Sequence, residues 1–188
     1  MQKNRKLVKD ITFPALGIAL FVALSMCLRV PVFDNYYLCL GYVVMTVYVW
    51  CFKWYEGALV GSLGVVMYCI AGSLGFNGMP GWALGNVVIG LLLRLGIDMT
   101  MLRTAKGKKM NNVIRTIIVA IIAVIATFIG IEIVKSFVDM FVTGQPFALR
   151  FAKNFTSFVA DAFVIVVSIP ICLAVEKPAL KLRNEEAG

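Results

Sequence analysis

Apolar stretches alternate with short polar or basic breaks along the whole chain, and their lengths decide which elements they predict. A helix needs about 20 apolar residues, with a range of roughly 17–25, to cross a bilayer. The first such stretch, residues 11–30, follows Lys3, Arg5, Lys6 and Lys9, and the second, residues 35–52, ends at Lys53. Between Glu56 and Arg94 there is no charge at all, and the stretch is too long for one helix. A run of turn formers from Gly72 to Gly81, with Pro80 in it, divides this stretch into spans at 55–74 and 82–102. A fifth span covers 113–142. Gln145-Pro146 interrupts the pattern, and a sixth covers 147–175, with a bend expected at Pro170 because proline removes a helical hydrogen bond. The pattern therefore predicts one domain over residues 1–188, an all-α integral membrane protein built as a compact bundle of six transmembrane helices.

Composition agrees with this pattern. Hydrophobic residues make up 61% of the chain, charged residues only 15%, and mean hydropathy is +0.90. A soluble domain is roughly 45–50% apolar and about 25% charged, so this chain lacks the polar surface that a water-facing globule requires. The first span has a basic start, and Leu24-Ser-Met-Cys27 resembles a lipoprotein cleavage box, but Met26 stands where a small residue is needed. It reads as an uncleaved helix.

The net charge of +8 sets orientation rather than affinity for nucleic acid. With the N-terminus inside, the cytoplasmic set comprises the four basic residues at the N-terminus, Lys53, the five from Arg103 to Arg115, and Lys177, Lys181 and Arg183. The outer set is only Arg29, Lys135, Arg150 and Lys153, so both termini are expected in the cytoplasm. No soluble basic face remains to bind nucleic acid. The chain has no histidine, and its five cysteines contain no Cys-x-x-Cys pair, so neither a metal site nor a cofactor is expected. The cysteines read as small buried hydrophobes. The inner loop after Arg103 has no phosphate-cradling motif, so the chain is not expected to hydrolyse ATP or to be an enzyme.

Small residues at spacing four form the clearest motif. Ala15, Ala19 and Ala23 lie on one stripe of the first span, Gly57, Gly61 and Gly64 on the third, and Gly81 and Gly85 at the head of the fourth. Such stripes let helices approach closely in lipid. The ordinary reading of the glycine stripes is packing within the bundle, whereas for the alanine stripe that reading competes with docking of another protein. A basic N-terminus, Ala15-x-x-x-Ala19 in the first helix, six helices in a short chain and a Gly-Pro-rich loop before the fourth together resemble the substrate-binding S components of energy-coupling factor (ECF) transporters. The resemblance covers the architecture of the whole chain, with Ala15 and Ala19 as its only short motif. It implies a subunit of an ECF-type importer in the bacterial plasma membrane that captures a water-soluble vitamin or heteroaromatic precursor at its outer face. It further implies docking, through Ala15, Ala19 and Ala23, on a coupling module of one membrane subunit and two ATPases.

Polar and aromatic residues gather at the outer end, where a small-ligand site would combine aromatic walls with a few aimed polar groups. The candidate contacts are Arg29, Asn35, Tyr36 and Tyr37 around the first loop, and Asn77, Trp82 and Asn86 around the third. Lys135, Arg150, Asn154 and Asp161 complete the set. Tyr36, Tyr37 and Trp82 equally fit the role of interface anchors. Asn86 and Asn154 are amides inside apolar helices and need partners, which a ligand could supply. Asp161 lies seven residues beyond Asn154, on nearly the same helix face. Glu132 is placed to pair with Lys135, and Arg94 with Asp98. The aromatic content suits a flat heterocycle such as a flavin, pterin, pyridine or deazapurine. Two other readings stay open, a self-sufficient ion-driven transporter and a non-transport structural membrane protein.

Overall fold

A computed structural model describes residues 2–27, 30–33, 36–72, 79–105 and 111–184. Helix α1 (Gln2–Cys27) leads through an antiparallel hairpin, β1 (Val30–Phe33) and β2 (Tyr36–Leu38), into α2 (Gly41–Cys51). Then come α3 (Glu56–Ala71), α4 (Met79–Ala105), α5 (Asn112–Thr127), a π-helical segment (Phe128–Lys135), α6 (Ser136–Thr143) and α7 (Phe147–Asn184). Stretches of α1 and α4, the continuous run Asn112–Thr143, and most of α7 are long and apolar enough to cross a membrane, while α2 and α3 are shorter apolar helices. This is a helical membrane protein.

The hairpin is a departure from an all-α reading. Val30 pairs with Leu38 and Pro31 with Tyr37. Valine and aromatic residues flanking Asp34-Asn35 carry strand and turn preferences that a search for long apolar runs does not register.

α7 shows how the bundle is turned relative to a soluble protein. Asn154, Asp161 and Ser168, seven residues apart, are buried, while Phe155, Val159, Phe163 and Val167 on the opposite face are each more than half exposed. Polar groups turned inward and large apolar groups turned outward are what a lipid solvent selects, since each buried polar group must be satisfied within the protein. Helix α2 lies at the centre, packed on α1, α3, α4 and α7, and all of it but Val43 and Val47 is buried. Glycines allow these close approaches. A methyl on Gly17 would lie 2.7 Å from the Tyr48 ring and from Val60, and one on Gly85 would lie 2.6 Å from the Gly130 carbonyl oxygen. The glycine stripes thus serve packing inside the bundle.

At its C-terminal end α2 is capped by another helix. Its eleven residues span about 16 Å, well short of a hydrocarbon core, so its last carbonyls need donors from the protein. Arg94 of α4 supplies them: Nη1 donates to the carbonyls of Val49 and Phe52, both at 2.9 Å, while Nε donates to Asp98 at 3.0 Å. The expected Arg94–Asp98 pair is present, but the larger task of Arg94 is the cap. Nearby, Arg115 holds Glu176 through its two terminal guanidinium nitrogens and lies over the Trp50 ring. Arg94→Met should therefore destabilise the protein by about 2–4 kcal/mol, mostly through the orphaned carbonyls. Thermal unfolding in detergent measures this; a loss below about 0.5 kcal/mol would mean that water reaches those carbonyls.

Candidate functional site

The other end of the bundle, where the hairpin, the start of α4 and the α6–α7 turn meet, holds two linked polar groups. The first centres on Tyr42 of α2. Its hydroxyl accepts from Trp82 Nε1 at 2.7 Å and donates to Asn86 Oδ1 at 2.8 Å, while Asn86 Nδ2 donates to the Gly61 carbonyl at 2.9 Å. The same hydroxyl engages the buried carboxyl of Asp161. Tyr42 thus ties α4 to α7, with its single proton facing two acceptors. Tyr68 of α3 meets the Trp82 ring edge-on at 6.0 Å, extending the group with an aromatic wall.

The second group joins the π segment, α6 and α7. Lys135 Nζ donates to Asn154 Oδ1 and lies 3.9 Å from Asp139 Oδ2. Asn154 Nδ2 donates to Ser136 Oγ at 2.9 Å and, more weakly, to Asp139 Oδ2 at 3.4 Å. The absence of a side chain on Gly81 makes room for the Asp139 carboxylate beside α4. Lys135 also lies in the field of Asp161, so charge couples the two groups.

Several sequence candidates therefore meet here: Trp82, Asn86, Lys135, Asn154 and Asp161. Arg150 stands at the rim, where its Nε donates to Thr143 Oγ1 at 2.9 Å and braces the α6–α7 turn. Arg29, Asn35 and Asn77 lie outside the described residues. Tyr36 and Tyr37 are described only as strand backbone in β2, next to this end of the bundle. Asn86 and Asn154 both find protein partners, so neither amide depends on a ligand for satisfaction. The expected Glu132–Lys135 pair does not form, since both carboxylate oxygens of Glu132 are buried without a hydrogen-bond partner.

Sequence reasoning did not single out Tyr42 or Ser136. Tyr42 sits in an apolar run where a tyrosine reads as an interface anchor, and nothing local marks it as a hub. Asp139 did carry a signal, standing one helical turn after Lys135. On α1, Ala15, Ala19 and Ala23 are exposed, opposite a buried row of Pro14, Gly17, Phe21 and Ser25.

The fold and the site define a helical membrane protein with an inward-facing polar and aromatic cluster at one end. The model of the ECF-type riboflavin transporter S component family matches residues 5–177, and the chain belongs to that family. No curated protein and no solved structure matched it.

Proposed function

We propose that this chain captures riboflavin, or a closely related flavin, at its outer face and passes it inward through a coupling module of one membrane subunit and two ATPases. The observation that carries the reading is the hydrogen-bonded assembly of Trp82, Tyr42, Asn86, Asp161, Lys135 and Asn154 at one end of an otherwise apolar bundle, within a family defined by riboflavin transport. A flat, uncharged heterocycle edged with hydrogen-bonding groups suits an aromatic wall beside paired amides and balanced charges. In this reading the chain crosses the bacterial plasma membrane six times with both termini in the cytoplasm. The excess of lysine and arginine on the inner side supports that topology. ATP hydrolysis belongs to the partner ATPases.

Riboflavin added to the purified protein without ATP should bind one to one with nanomolar affinity, read as quenching of flavin fluorescence against the aromatic wall. Folded protein that leaves the fluorescence unchanged would remove the flavin from the proposal.

A further inference from the structure

Glu132 lies in the π segment with none of its surface exposed, and neither of its carboxylate oxygens has a hydrogen-bond partner. A buried, unpartnered acid is costly. A run with hydrogen bonds from i to i+5 is itself uncommon and recurs at functional sites. Ser136 and Asp139, four and seven residues further on, are buried too, so Glu132 continues the inward face that carries the second polar group one turn deeper.

The charged groups around it are already engaged. Lys135, the cation whose field reaches Glu132, is held by Asn154 and lies 3.9 Å from Asp139. Arg150 is bonded to Thr143. Asp139 also has one oxygen without a hydrogen bond, but that oxygen packs against Gly81. Gln145 at the α6–α7 turn has one buried oxygen without a partner, whereas Glu132 is the carboxylate with both of its buried oxygens unpartnered.

From this geometry we infer that Glu132 is a specificity-determining residue of the substrate site, its carboxylate accepting hydrogen bonds from hydroxyl groups on a polyol side chain of the ligand. This rests on the flavin reading above. A carboxylate with both oxygens unpartnered calls for more than one donor. The isoalloxazine ring is dominated by acceptors, whereas the ribityl chain carries a hydroxyl on each of its outer carbons. With the ring against the wall of Trp82 and Tyr68, the hydroxyl donors of the chain are left to meet Glu132.

The test compares riboflavin with lumiflavin, which has the same ring and a methyl in place of the ribityl chain, on wild-type, E132A and E132Q protein. In E132A the ratio of riboflavin to lumiflavin affinity should fall about 10-fold or more, with E132Q intermediate because it keeps one acceptor. Ligand-free E132A should melt no lower than wild type, because an uncompensated buried acid has been removed. An unchanged ratio, whether both affinities hold or fall together, overturns the inference and leaves flavin binding standing. Wild-type protein that binds neither flavin overturns the substrate reading, and this inference with it. Should E132A fail to fold, the ratio measured on E132Q decides.

Discussion

Replacing both Ala15 and Ala19 with phenylalanine is expected to abolish uptake in cells while the purified protein keeps its riboflavin affinity. The two alanines face away from the bundle, since the row that packs inward on α1 is Pro14, Gly17, Phe21 and Ser25. Substitutions on an exposed face away from packed features usually change stability by less than about 0.5 kcal/mol, so the binding site, carried by α2, α4, α6 and α7, should be untouched. A partner helix that approaches over methyl groups has no room for two rings. In lipid the contact depends on that close approach, because no hydrophobic drive compensates for a gap. Transport should fall by more than about 100-fold, equivalent to about 2.7 kcal/mol of docking energy. Gly17→Leu on the other face of the same helix is the control: it should destabilise the protein, because even a methyl there meets Tyr48 and Val60 at 2.7 Å. Uptake that survives the double substitution would remove docking from this stripe. Simultaneous loss of binding would mean that the stripe packs the bundle itself.

How much of this was legible depended on how far each residue's partner lay along the chain. Asn154 and Asp161 could be paired on one face because a regular helix puts residues seven apart nearly in line. The pairing of Glu132 with Lys135 assumed that same regular helix. The π segment widens the turn, so residues three apart no longer share a side, and Lys135 turns to Asn154 on α7 instead. Nothing in Phe128–Lys135 announces the change of register, in a segment that packs closely on α4 where Gly85 and Gly130 meet. Arg94 shows a similar limit. Its partner four residues on was visible, but the Val49 and Phe52 carbonyls that it caps come from another helix, and no local pattern records them. Tyr42 is the fullest case, a tyrosine in an apolar run whose three side-chain partners all come from elsewhere in the chain.

Asn154→Leu should weaken riboflavin binding at least about 100-fold and also lower the stability of the ligand-free protein by about 3 kcal/mol. The amide is the only group within hydrogen-bonding distance of the Lys135 ammonium among the described residues, and its nitrogen also holds Ser136 and Asp139. Without it, a largely buried cation keeps only a carboxylate at 3.9 Å, and a charge stripped of one partner in a low-dielectric site is strongly destabilising. Loss of binding could then follow from loss of structure alone, and two further substitutions separate these effects. Replacing Lys135 with methionine and Asp139 with asparagine in the same chain removes the stranded cation and neutralises the carboxylate it faced, so no uncompensated charge stays buried. The K135M/D139N/N154L protein should therefore regain most of its melting temperature and still fail to bind riboflavin, since the groups aimed at the ligand are gone. Affinity that returns together with stability would show that Lys135 and Asn154 only hold α7 against the π segment. In that case the ligand site would have to lie with Tyr42, Trp82 and Asp161 alone.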